Sequence, residues 1–164
     1  MHPRPQSPRV SLREVSRDDL PALFDIQCDP EANDMAGVNP RGKDEFFSLW
    51  EQYLSNPEIV ARIILADDQL AGSISRFSKG GSPMIGYWIA RSHWGHGIAT
   101  QALRQFLTIV TERPLHASVA EHNTASLRVL QKCGFRETGR QFEPATPRFR
   151  PCVEVKFILE APAS

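Results

Sequence analysis

The chain has 164 residues, long enough for one domain with a substantial core. Apolar residues make up 41% and charged residues 23%, and 19 Lys plus Arg balance 19 Asp plus Glu. This is ordinary globular composition, and a net charge of zero favours neither nucleic acid nor an anionic membrane as a partner.

Residues 1–9 are rich in proline and polar groups and read as a loose tail without the apolar stretch of a secretory signal. Val10 to Val15 alternates as a first strand. Ser16 or Asp18 can cap a helix over about Asp19 to Gln27, which carries Leu20, Leu23, Phe24 and Ile26. Residues 28–42 read as a polar loop with two prolines. Phe46, Phe47, Leu49, Trp50, Tyr53 and Leu54 have helical spacing, and Asn56-Pro57 ends that helix. Residues 59–66 and 70–77 flank a hairpin connection, Asp67-Asp68-Gln69, and SKGGSP at 78–83 is a second turn. MIGYWIA, residues 84–90, is the short apolar run of a central strand. Ala99, Leu103, Phe106, Leu107 and Val110 stripe the next helix, which Arg113-Pro114 stops. Residues 115–120 form a strand parallel to 84–90 by a right-handed crossover. Asn123 opens a helix that Gly134 closes, two strands follow over 135–142 and 151–160, and 161–164 fray. No linker splits the chain, so 1–164 reads as a single domain.

Cys28, Cys133 and Cys152 are odd in number and widely spaced, which argues for a reducing compartment and against a disulfide framework or a cysteine zinc site. No run approaches the ~20 apolar residues of a membrane span. The expected location is the cytoplasm. The five histidines show no metal-ligand spacing, so no metal is expected.

The stretch WGHGIATQAL, residues 94–103, places two glycines directly ahead of a helix and behind a strand. A helix start exposes unpaired N–H groups and partial positive charge, and glycines let an anion approach the backbone. It fits neither G-x-x-x-x-G-K-[ST] nor the dinucleotide fingerprint, which needs Gly or Ala at Thr100.

Trp94-x-x-Gly97-x-Ala99 resembles the [Q/R]-x-x-G-x-[G/A] acetyl-CoA motif of the GNAT superfamily of N-acetyltransferases. HNTASLRVLQKCGFRETG, residues 122–139, resembles the N-x-x-S-x-x-V-L-x-K-x-G-F block of the branch that acetylates N-terminal α-amines of ribosomal proteins. The resemblance covers roughly residues 10–142, and Trp94 departs from the usual Gln or Arg. It implies a mixed α/β fold: a central, mostly antiparallel sheet of six to seven strands, one parallel pair at the cofactor site, and about four helices. It implies acetyl-CoA as cosubstrate. The backbone of Trp94, Gly95, His96, Gly97, Ile98, Ala99 and Thr100 would hold its diphosphate. Trp88, Ile89 and Ala90 would pair with the pantetheine arm, a backbone N–H near Ile89 would serve the oxyanion, Asn123 would contact pantetheine, and Ser126 would protonate the sulfur.

Beside those roles stand plain ones: Asn123 as a helix cap and Ser126 as a local hydrogen-bonding residue. No base is visible. Tyr87, His93, Glu121 and His122 are the local options. Asp29, Glu31, Asp34, Arg41 and Lys43 are candidates for meeting the acceptor, or a solvated loop. Phe46, Phe47, Trp50 and Tyr53 are candidates for its pocket, or core. His116 and Cys133 read as packing residues, and no cysteine has a nucleophile setting. An α-amine of pKa ~8 is about a tenth neutral at pH ~7, whereas a lysine at ~10.4 is almost wholly charged. A site without a strong base therefore suits an α-amine. The expected activity is direct acetyl transfer to a primary amine, such as a protein N-terminus. A small-molecule amine acetylase and a non-catalytic acyl-CoA-binding module are the alternatives, each as monomer or homodimer.

Overall fold

Val10 and alternating neighbours form β1 (Val10–Glu14), the first strand of a sheet in a computed structural model that describes residues 7–162. The loose-tail readings for 1–6 and 163–164 lie outside these residues. At the foot of β1 the Ser16 N–H and hydroxyl both donate to the Asp19 carboxylate, at 2.8 and 3.3 Å, and Arg13 grips the same carboxylate with two bonds of 2.8 Å. This box turns the chain through a 3-10 turn into α1 (Leu20–Gln27).

The segment read as a polar loop contains a helix, α2 (Pro30–Ala36), so the described residues form five α-helices rather than about four. Its signals were terminal ones: Pro30 at the first turn, where a missing N–H costs nothing, and Gly37 at the C-cap with φ +70°. Its few apolar side chains hid the periodicity. Asn33 is buried within it and donates to Gln27 O and Asp29 O, both at 2.9 Å. In α3 (Lys43–Ser55), Phe46 and Trp50 stand one turn apart and pack with Leu20, Leu23 and Ile63 in a small apolar cluster.

β2 (Val60–Ala66) and β3 (Gln69–Lys79) join through Asp67 and Asp68, whose φ values of +49° and +66° suit the twist of a two-residue hairpin. Arg9 donates its backbone N–H to Asp67 Oδ1 at 2.9 Å. The following hairpin runs further than its sequence suggested: β4 (Ser82–Ile89) begins within SKGGSP and leaves only Gly80-Gly81 as the turn. Gly72 faces Trp88 so closely that a Cβ would lie 1.9 Å from Trp88 O.

α4 (Ile98–Ile109) crosses from β4 to β5 (Leu115–Ala120) and buries Ile98, Ala102, Leu103 and Phe106. It stops short of Arg113-Pro114, because Val110 turns extended and sinks its own side chain into the core. α5 (Thr124–Lys132) ends at Gly134 with φ +93°, and β6 (Arg136–Glu143) and β7 (Cys152–Leu159) follow. The seven strands of the described residues lie in the order β1-β2-β3-β4-β5-β7-β6, all antiparallel except β4 with β5. No helix among the described residues is long and apolar enough to cross a membrane.

Candidate active site

β4 and β5 pair at Met84 and His116 and nowhere further along, so they part toward the C-terminal end of β4. Ala90 donates its N–H to Ala71 O at 2.8 Å, into the β3 side. Backbone groups alternate along a strand, so the Ile89 N–H and carbonyl face the gap instead. The Ile89 carbonyl is occupied there: the Trp94 indole N–H donates to it at 2.9 Å. The Ile89 N–H is left as a donor for something in the gap.

The gap is the floor of a cleft of about 350 Å³. Tyr87, Trp88 and Ile89 come from β4, Ala32, Met35 and Ala36 from α2, and the remaining wall from the glycine loop, α4 and α5. Gly95 and Gly97 take φ +80° and +73°, and a Cβ on either would meet nothing within 4 Å. The backbone is thus open exactly where α4 starts, with Gly97 as its N-cap. The first intrahelical bond runs from Gln101 N to Gly97 O, so the N–H groups of Ile98, Ala99 and Thr100 have no acceptor in the helix. Arg128 and Lys132 add positive charge from α5. Gly residues, a helix N-terminus and two cations make a cradle suited to a diphosphate.

At the start of α5, Asn123 Oδ1 accepts from Ser126 N at 3.3 Å, an ordinary cap. Both residues line the cleft. Tyr87 lies beside Ser126. Burial pushes its phenol up to about 12 against the opposing influence of the serine, and its oxygen is sealed from solvent without a well-formed hydrogen bond. A phenol held there is a donor at neutral pH and no base. This use of Tyr87 was missed in the sequence, although alternation along MIGYWIA already put it on one face with Ile89.

Of the expected cofactor residues, Trp88, Ile89, Trp94, Gly95, Gly97, Ile98, Ala99, Thr100, Asn123 and Ser126 line the cleft, while Ala90 and His96 stand outside its lining. His93 reaches it as well. Glu121 pairs with Arg140 at 3.0 Å, and His122 Nε2 lies 2.9 Å from Asp34 O. Among the described residues no carboxylate lines the cleft. Cys133 packs against α4 with its thiol pushed up by burial, a setting for an inert cysteine.

The polar residues expected to greet an acceptor are largely engaged. Arg91 holds Asp29 and Glu31 at 3.0 Å each, and Arg150 holds Asp34. Arg41 lies 3.8 Å from Glu45. Phe46 and Trp50 are core, with 4% and 7% exposure. A second cleft, of about 460 Å³, opens between the segment after α2 and the loop joining β6 to β7. Its lining comes from separate parts of the chain, so no local pattern marks it.

Residues 9–136 match the family model described as an acetyltransferase (GNAT) domain. The uncharacterized N-acetyltransferase p20 of Bacillus licheniformis is 26% identical over 156 residues, covering 85% of this chain and 87% of that one. The structure of a Vibrio cholerae spermidine N-acetyltransferase, in complex with CoA and spermine, superposes with a TM-score of 0.79 at 19% identity, over 92% of this chain and 95% of that one. A Salmonella typhimurium acetyltransferase that modifies the N-terminal serine of ribosomal protein L7/L12 superposes with a TM-score of 0.76 at 17% identity, over 93% and 95%. At such identities the two structures share the fold with this chain.

Proposed function

The chain belongs to the GNAT acetyltransferase family and is an acyltransferase, and from that premise we propose that it moves the acetyl group of acetyl-CoA onto an α-amine by direct attack in a ternary complex. One observation carries this reading: the free Ile89 N–H, the open glycine cradle and the Tyr87–Ser126 pair all face one cleft. Acetyl-CoA bound there supplies an activated thioester. The N–H groups of Ile98 to Thr100 bind its diphosphate, and Arg128 and Lys132 add attraction. The Ile89 N–H donates to the acyl oxygen as it gains negative charge, an interaction that strengthens toward the transition state. Of the hydroxyls at the cleft, those of Ser126 and its neighbour Tyr87 are the ones proposed to protonate the departing sulfur. With no carboxylate base in the lining, an amine that is already partly neutral near pH ~7 is favoured, which suits an α-amine over a lysine.

CoA release from acetyl-CoA, followed over peptides with free N-termini, the same peptides blocked and carrying lysine, and polyamines, tests this reading. Turnover confined to free α-amines supports it. Turnover of polyamines alone, or none with tight acetyl-CoA binding, removes it.

A further inference from the structure

The second cleft carries a charge pattern that the transfer chemistry does not use. Its charged lining is Arg41, Glu45, Lys79, Glu143, Arg148 and Glu154. The three carboxylates are all answered: Glu45 by Arg41 at 3.8 Å, and Glu143 and Glu154 by Lys156 at 3.4 and 2.8 Å. Two cations are not. Lys79 Nζ rests 5.4 Å above the Phe149 ring, and Arg148 makes one side-chain bond, from Nη1 to Asn39 O at 2.5 Å. Among the described residues neither has a carboxylate within 4 Å.

Arg148 is half-buried, and burial with the nearby Arg41 guanidinium pushes it down to about 10. The Glu45 carboxylate, already shared with Arg41, only partly offsets this. A desolvated guanidinium without a carboxylate in contact is costly to a fold, and the cost is recovered by a ligand that supplies one. The residue is also held ready. Asn39 N donates to Arg148 O at 2.7 Å, Asn39 Nδ2 to Pro147 O at 3.2 Å, and Arg150 Nε to Asn39 Oδ1 at 3.2 Å. Val38 and Phe149 add a β-bridge. This stitching fixes the loop before any ligand arrives, so little ordering entropy opposes binding. The two clefts share one stretch of chain: Ala36 lines the first and Asn39 the second. Gly37 between them lies against Ala120 at the end of β5.

We propose that this second cleft anchors the acceptor and that Arg148, helped by Lys79, binds a carboxylate on it, so that the amine acetylated belongs to a carboxylate-bearing molecule. The proposal rests on the transferase reading and narrows it. A polyamine would meet two cations that have no carboxylate in contact, whereas an amine that carries its own carboxylate meets a fork of donors.

The test uses paired acceptors: a peptide with a free N-terminus followed by Asp and Glu, its counterpart with Asn and Gln, free glutamate, its diester, and spermidine. Peptide and free amino acid are separate sources of the same group and are separate arms. The carboxylate member of at least one pair should show a KM lower by about tenfold or more, the size of one charge-assisted bond. Arg148→Gln and, independently, Lys79→Gln should shrink that ratio, and Arg148→Lys should keep part of it. Glutarate binding to the acetyl-CoA-saturated protein, read by calorimetry, needs no turnover and should weaken in the same order. The Lys79 variant guards against an Arg148 variant that loosens the loop. Preference for the neutral or polycationic amines overturns the anchor, as does glutarate binding that neither glutamine variant weakens. Glutarate binding that both glutamine variants weaken, with none of these amines turned over, keeps the carboxylate site and removes the α-amine reading.

Discussion

The Trp94 indole N–H donates to the Ile89 carbonyl at 2.9 Å, tying the glycine loop to the frayed end of β4. The bond fills one of the two backbone groups that Ile89 turns into the gap and holds the loop where its own N–H groups face the same space. Trp94→Phe removes the donor and leaves a partly buried carbonyl unsatisfied. Acetyl-CoA binding, measured by calorimetry, should weaken about five- to tenfold, with a small change in melting temperature. An unchanged Kd would show that the loop holds its place without this bond.

Gly97→Ala separates backbone strain from ligand space. At φ +73° an alanine costs roughly 1–2 kcal/mol, yet its methyl meets no protein atom within 4 Å. The melting temperature should fall modestly. Affinity for CoA should fall further than for pantetheine, which has no diphosphate, because the methyl intrudes where the diphosphate approaches.

Tyr87→Phe removes a buried hydroxyl that lacks a well-formed partner. Stability should hold or rise slightly, since no good hydrogen bond is lost. If the hydroxyl donates during transfer, kcat falls by about tenfold or more, and the double variant with Ser126→Ala falls less than the product of the two singles. The phenol is pushed up to about 12, so wild-type activity should show no loss from its ionisation below that range.

Asp19 gives a pH-dependent stability term. The Arg13 guanidinium holds its carboxyl below the ordinary value, with the Ser16 N–H helping and burial opposing. A depressed folded pKa means the stabilisation is full above the ordinary carboxylate range and is lost as pH falls through the lowered value. Asp19→Asn should therefore destabilise by about 1–3 kcal/mol at neutral pH. In urea melts the two proteins should converge as the pH falls through and below the ordinary carboxylate range. A gap that persists in acid would assign the loss to packing instead.

Gly72 faces a harder limit, because a Cβ would lie 1.9 Å from Trp88 O. Gly72→Ala must push β4 away from β3 at the residues that floor the cleft. Both the melting temperature and acetyl-CoA affinity should drop, by about 1–3 kcal/mol in stability. A folded variant with normal affinity would mean that β3 gives way and β4 does not.

Much of the cleft was legible because local rules wrote it. Gly97 before a helix, Asn123 three residues ahead of Ser126 and the apolar run of β4 are all short-range patterns, and each maps to a defined backbone geometry. α2 escaped because Pro30 and Gly37 frame a segment with few apolar side chains, so periodicity had little to count. The Trp94–Ile89 bond and the isolation of Arg148 escaped for another reason. A tryptophan in a glycine loop has no sequence-level partner, and a lone cation is known to be lone only when every carboxylate near it has been placed.

The sheet order has a temporal consequence. β7 follows β6 along the chain yet lies between β6 and β5, and β6 has no other neighbour in the sheet. On a ribosome, therefore, β6 emerges before there is anything for it to pair with, and the exposed side of β5 stays bare until residues 152–159 arrive. The earlier strands can assemble as they are made. The far third of the sheet closes in one late event, when β7 slots between two waiting edges.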